Sequence, residues 1–152
     1  MNKANIIVFD MDGVLAGLYN VPNWLNFLEE ENPFPYIAAK PLVNMDELRD
    51  ILLQLKNKGI KIVITSWLAK GASLNYNNQV RLCKKMWLDF YKFPYDEIHF
   101  LQYGTTKANA TRHYKVSQLL IDDNQKIRNG WSLGESIDGA KNFKNYLEHL
   151  VN

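Results

Sequence analysis

Cysteine is nearly absent. The 152-residue chain carries one, Cys83, so no disulfide can close within it and no metal centre can be built from thiolates alone. Long apolar runs are missing too: nothing approaches the ~20 consecutive apolar residues that a membrane-spanning helix needs. The start of the chain does not read as a secretory leader, because the apolar run from Ile6 to Phe9 is short and leads straight into Asp10 and Asp12. An excess of charge is also lacking. The net charge is +2 with no basic stripe, which counts against a nucleic-acid partner without removing it from consideration. The adjacent Lys84 and Lys85 read as the solvated face of a helix. Internal repeats, low-complexity tracts and linkers are absent as well. What is present is a hydrophobic fraction of 47%, enough to fill a core. The expectation is one folded domain over residues 1–152, cytoplasmic, with no membrane partner.

Apolar periodicity alternates between strand and helix. Residues 4–9 form a short, β-branched run closed by Asp12-Gly13, which predicts a buried strand. Trp24, Leu25, Phe27 and Leu28 are spaced as in a helix over 22–31, broken by Asn32-Pro33-Phe34-Pro35. A helix over 45–58 is capped by Asn44, with Glu47 three residues on, and stopped by Gly59. Residues 60–64 predict a second strand ending at Thr65-Ser66. A helix over 75–91 follows, with Val80, Cys83, Trp87 and Phe90 on its buried face. Then come a strand over 97–101, a short helix over 105–113, a strand over 117–121 ending at Asp122-Asp123, a short strand over 136–138 and a last helix over 142–151. Strands alternating with helices predict an α/β fold, a Rossmann-like parallel sheet with helices on both faces. In such sheets ligands gather at the carboxyl ends of the strands.

Four polar groups fall at those ends. Asp10 and Asp12, spaced i, i+2 off a strand tip, can face one side, and Gly13 lets the chain turn behind them. Carboxylates ending a buried strand are costly unless a cation neutralises them, and magnesium prefers oxygen ligands; a plain Asp turn is the alternative. Thr65 and Ser66 offer hydroxyls and backbone N–H groups to phosphate oxygens, although such pairs are common at strand ends. Lys107, in Gly104-Thr105-Thr106-Lys107, offers a point charge or is a surface lysine. Asp122-Asp123 places two like charges at a strand end, where metal binding is a better account than solvation. The order of the four, each after an apolar run, says more than any one of them.

That order resembles the haloacid dehalogenase (HAD) superfamily. Asp10-Met11-Asp12-Gly13-Val14 looks like its first signature, Thr65 its second, Lys107 its third and Asp122-Asp123 its fourth. Within the superfamily the first two stretches resemble the 5'(3')-deoxyribonucleotidase group and its phage and bacterial relatives. The resemblance implies a HAD-like fold in which the roughly 50 residues between the first and second signatures leave room only for a minimal cap, at about 14–44. Members with an acid at the position of Asp12 are typically phosphatases or phosphotransferases, while the dehalogenases lack it, and a phosphatase is the expectation here. Asp10 would attack phosphorus and Asp12 would act as acid and then base. Mg2+ would be held by Asp10, the carbonyl of Asp12 and Asp122, with Asp123 either binding through water or orienting its neighbour. Thr65 and Lys107, with Ser66, would hold the phosphate oxygens.

The expected substrate is a small phosphomonoester, foremost a (deoxy)nucleoside monophosphate. Tyr19, Trp24, Phe27, Phe34 and Tyr36 make the cap aromatic, and Trp67 follows the phosphate-binding strand as the best base platform, with Trp24 as a second. Packing of a small helix is the competing account of the aromatics around Trp24. Two other functional readings stay open here: an open-site phosphatase acting on nucleic-acid 3'-phosphate ends or phosphoproteins, and a phosphate-binding module without turnover. His99, His113, His149 and Cys83 read as packing or surface residues. Gly130-Trp131 and Gly134 mark either a loop that closes the site or a structural turn. All of this requires Lys107 and Asp122 to meet Asp10 in space.

Overall fold

The computed structural model describes residues 3–152. Five strands form one wholly parallel sheet: β1 (Ile6–Phe9), β2 (Lys61–Trp67), β3 (Glu97–Leu101), β4 (Gln118–Asp122) and β5 (Ser136–Asp138), in the order β3-β2-β1-β4-β5. This is the predicted Rossmann-like α/β architecture. The chain leaves β1 toward β2 on one side and returns to β4 on the other, so the topological switch point lies between β1 and β4, where ligands gather in such sheets.

The two faces are covered unequally. Ile7, Phe9, Ile62, Ile64, Leu119 and Ile121 face three long helices: α3 (Met45–Asn57), α4 (Leu74–Phe90) and α6 (Phe143–Val151). Phe9 anchors that core, meeting Phe93 and Phe143 edge-on at 5.4 and 5.9 Å. On the other face Ile6, Val8, Val63 and Leu120 are covered by Tyr114, Ile127 and Trp131, from 3₁₀ turns, a loop and the five-residue helix α5 (Gln125–Asn129). No helix among the described residues is long and apolar enough to cross a membrane.

Local chemistry explains most element ends. Asn44 caps α3 by accepting from the Glu47 N–H at 3.1 Å, while the Glu47 carboxylate pairs with Lys144 of α6. Ser73 caps α4, and its N–H and hydroxyl both donate to Glu31, tying α4 to the inserted segment. That segment carries a 3₁₀ turn (Leu18–Asn20), α1 (Trp24–Glu29) and α2 (Phe34–Ala38). The helix α2 arises within the stretch expected only to break α1, because Pro35 stands in its first turn, where no N–H is needed.

Several expectations are corrected. Strand β2 runs on through Thr65 and Ser66 to Trp67, held by pairing with β3. The helix expected over 105–113 is two 3₁₀ turns, Lys107–Ala110 and Arg112–Tyr114. The buried stripe of α4 is Tyr76, Val80, Lys84, Trp87 and Leu88; Phe90 is 77% exposed. Of the two readings left open for Gly134, the structural turn is the one its packing supports, since a Cβ there would lie 2.1 Å from the Gln118 carbonyl oxygen.

At the amino end of the sheet Glu97 accepts from Lys61 and from Tyr114, and contacts the His99 ring at 2.9 Å. Partial burial pushes its carboxyl up, but these partners outweigh it and bring the pKa from 4.5 down to about 2. A carboxylate depressed on folding stabilises above its unfolded pKa and loses that contribution as pH falls through the folded one. The apparent Tm of the protein is therefore expected to fall between pH 4.5 and 2 more steeply than that of Glu97→Gln. Parallel melting curves over that range check this.

Candidate active site

Register brings the strand tips together. Phe9 lies level with Ile64 of β2 and Ile121 of β4, so the next residues, Asp10, Thr65 and Asp122, stand in one row where β1 ends. The Asp10 N–H donates to the Ile121 carbonyl at 2.9 Å, extending the ladder one step beyond β1. Side chains alternate across a strand. Ile64, Phe9 and Ile121 point to the long-helix core, so this row points to the opposite face, from which Lys107 arrives.

Lys107 is buried and joins two carboxylates: its Nζ lies 2.7 Å from Asp10 Oδ1 and 2.8 Å from Asp122 Oδ2. Asp122 is held by its other oxygen, which accepts the Asn124 N–H at 2.9 Å. Asp123 completes the group, each of Asp10, Asp122 and Asp123 offering an oxygen within 4.8 Å of the others. Behind them the loop doubles back, with the Gly13 N–H on the Ala16 carbonyl at 2.9 Å and φ of +82° at Gly13. A Cβ at Gly13 would stand 2.3 Å from Asp123 Oδ2, so glycine serves both the turn and the close approach.

Three carboxylates against one ammonium leave an excess of negative charge in a buried place. Burial raises the Asp10 carboxyl, Lys107 opposes it, and Asp122 adds to the rise. Burial and then the charge of Asp10 push Asp123 up to about 7. Lys107 loses from burial but gains more from Asp10 and Asp122, so its ammonium is favoured. A hard divalent cation fits this donor set: every ligand atom is a carboxylate oxygen, and the excess charge is what the cation would neutralise.

Asp12 stands apart from that group. Its Oδ2 accepts from Lys84 Nζ at 2.9 Å, and it opens onto the same cleft. Burial raises its carboxyl, and Lys84 partly offsets the rise. Thr65 is wholly buried, and its hydroxyl finds no hydrogen-bond partner among the described residues. Ser66 is buried with its Oγ accepting from Lys84 at 2.7 Å. Lys84 is the site-adjacent residue that sequence reasoning missed: far from being solvated, it lies on the buried stripe of α4. Lys85 beside it is exposed and pairs with Asp89, as expected of a surface lysine.

The carboxylates open into a cleft of about 280 Å³. Its walls are aromatic. Trp67 leans on Tyr103 at 5.0 Å, with its Nε1 donating to the Thr105 carbonyl and its ring 5.4 Å from Lys107 Nζ. Opposite, Trp24 meets Tyr19 edge-on at 5.0 Å, and Tyr36 lines the same space. Trp24 also packs on the core, so packing and cleft-lining hold together there.

No family model matches the sequence, and no curated protein sequence matches it. Among solved structures the chain is similar to the crystal structure of D,D-heptose 1,7-bisphosphate phosphatase from Burkholderia thailandensis, with a TM-score of 0.50 and 15% sequence identity, covering 88% of this chain and 75% of that one. At that identity the likeness is one of fold, and it agrees with the Rossmann-like α/β architecture expected from the sequence.

Alanine at Gly13 is expected to cost about 1–3 kcal/mol from backbone strain and more from displacing Asp123. Gly59 is the control, since its φ is +89° and nothing lies near its Cβ position. Denaturant unfolding should show a larger loss for Gly13→Ala than for Gly59→Ala; equal losses would mean that the Asp123 contact is immaterial.

Proposed function

We propose that the chain is a magnesium-dependent phosphomonoester hydrolase of the HAD superfamily, with Asp10 as nucleophile. The observation that carries this reading is the meeting of Asp10, Lys107, Asp122 and Asp123 from three separated segments at the mouth of one cleft, with Asp12 on its wall. Mg2+ would be held by Asp10, the carbonyl of Asp12 and Asp122, with Asp123 acting through water or by orienting its neighbour. When bound, it neutralises charge between the nucleophile and the phosphoryl group.

A carboxylate oxygen of Asp10 bonds to phosphorus as the ester P–O bond breaks, and the departing oxygen takes a proton from Asp12 and leaves as the alcohol. Water then attacks the aspartyl-phosphate, giving its proton to Asp12, and the P–O bond to Asp10 breaks to release inorganic phosphate. Lys107 stays beside the nucleophile and receives phosphoryl oxygens. The unpartnered Thr65 hydroxyl, on the Lys107 side of β2, is a second donor to those oxygens; Ser66 points to the other side, where its Oγ accepts from Lys84, and it does not line the cleft.

The substrate in this reading is a (deoxy)nucleoside monophosphate, and residues 14–44 act as its cap. A cleft of about 280 Å³ lies just under the ~300–1,000 Å³ usual for ligand pockets, which favours a small molecule over a nucleic-acid end or a phosphoprotein. Trp67, fixed through its Nε1, and Trp24 form its base-binding walls. Stacking on such rings is worth ~1–3 kcal/mol per base.

Phosphate release from nucleoside monophosphates, sugar phosphates and phosphorylated oligonucleotides, measured with Mg2+ and with chelator, tests the proposal. Release should require Mg2+, favour nucleotides, vanish in Asp10→Asn and fall at least ~100-fold in Asp12→Asn. Undiminished release from Asp10→Asn or in chelator would end the reading, and a preference for sugar phosphates would end its nucleotide part. Trp67→Ala should raise KM for nucleotides and leave KM for sugar phosphates unchanged.

A further inference from the structure

Lys84 has no part in the scheme above, yet its side chain is 0% exposed. An ammonium has three hydrogens to donate. Here each has an acceptor: Asp12 Oδ2 at 2.9 Å, Ser66 Oγ at 2.7 Å and the Trp67 carbonyl at 2.8 Å. The Tyr36 ring stands 5.2 Å from the same nitrogen. Two of the three acceptors belong to β2, at Ser66 and Trp67, where that strand pairs with Phe100 and Leu101 of β3, so the ammonium is anchored on the sheet. The third is the acid–base carboxylate.

An apolar side chain at position 84 would suit the stripe of α4, which runs Val80, Lys84, Leu88 at i, i+4 spacing. Burying an ammonium there costs desolvation that an apolar residue avoids. What the charge provides is a fixed partner for one particular oxygen of Asp12. We infer that Lys84 is a positioning residue for Asp12: anchored on Ser66 and Trp67, it holds Oδ2 so that Oδ1 is the oxygen turned to the cleft and the one that exchanges the proton. The inference rests on the reading of Asp12 as acid and base.

A carboxylate free to rotate would present either oxygen, and a misplacement of about an ångström can cost ~100-fold in rate. With Oδ2 committed, protonation and proton donation both occur at Oδ1, on the ester oxygen in the first step and on the attacking water in the second. Lys84 touches neither phosphorus nor the leaving group. Its effect should therefore follow how much the leaving group needs a proton.

Leaving-group release in the first turnover is measured for wild type, Lys84→Met, Asp12→Asn and the double variant, on a nucleoside 5'-monophosphate and on p-nitrophenyl phosphate. The first substrate leaves as an alkoxide that must be protonated; the second leaves as a stable phenolate that need not be. Lys84→Met is expected to slow the alkyl ester ~10–100-fold with KM nearly unchanged, and to slow the aryl ester much less. Adding Lys84→Met to Asp12→Asn should cost the alkyl ester nothing further, because the residue acts through the acid. Equal loss on both esters, loss confined to KM, or an additive loss in the double variant would overturn the assignment. If thermal melting shows that Lys84→Met does not fold, Lys84→Gln, which keeps donors without the charge, is compared on the same two esters, and the contrast between esters within the folded variant decides. Absence of Asp10-dependent release from the wild-type protein on either ester would overturn the phosphatase reading and this inference together. Wild-type release with no ester contrast in the variants overturns the inference alone.

Discussion

The bridge from Lys107 to Asp10 and Asp122 is the constraint on which the rest of the site depends. Three carboxylates with oxygens within 4.8 Å of one another, mostly withdrawn from water, repel strongly. One buried ammonium lying 2.7 and 2.8 Å from two of them makes the cluster tolerable. Breaking a buried ion pair by removing one partner typically costs ~3–5 kcal/mol, because the other charge is left uncompensated. Strand order, register and the turn at Gly13 all serve to deliver these groups to that one ammonium.

The geometry also separates the two acids that the proposed mechanism uses as nucleophile and as acid–base, which fall two residues apart in the chain. Asp10 leaves β1 toward the face of Lys107, while Asp12, beyond the strand and on the turn, is met by Lys84 from the α4 side. Each acid has its own buried cation. Burial raises both carboxyls, so neither lysine cancels desolvation in full. A nucleophile must be ionised, while an acid must be able to hold a proton. Placing the two on different cations gives each its own nearest opposing charge, although Asp10 and Lys107 still act on Asp12 from a distance.

Much of this could be read before any coordinates. Short β-branched runs ending in polar residues located Asp10, Thr65 and Asp122, because in a parallel sheet buried on both faces the first polar residue after the run lies at the carboxyl end. Lys107 was legible only through its place in the order of motifs, since nothing local distinguishes it from a surface lysine. Lys84 was illegible for a physical reason. Position 84 falls on the Val80–Leu88 stripe, but a lysine is by residue type assigned to the solvent side, and only the three-dimensional approach of Asp12 and Ser66 supplies the acceptors that let it be buried. The same misplaced lysine shifted the expected stripe of α4 and put Phe90 inside when it is outside. The 3₁₀ turns at 107–114 escaped because their side chains cover the sheet without a helical repeat.

The thin covering of one sheet face follows from the same design. Residues 107–131 bring Lys107, Asp122 and Asp123 to the site and must also roof Ile6, Val8, Val63 and Leu120. A long helix there would bury more apolar surface, but side chains on a helix project at fixed 3.6-residue intervals and lie on an axis that packs against the whole sheet. Two short 3₁₀ turns let Lys107 descend to the strand tips, and Tyr114, Ile127 and Trp131 fill the space from loop ends. The larger core lies on the other face, where α3, α4 and α6 pack on six strand residues, Phe9 among them. The fold thus concentrates its apolar burial on the side away from Lys107, leaving the opposite side free to be shaped by the chemistry of the strand ends.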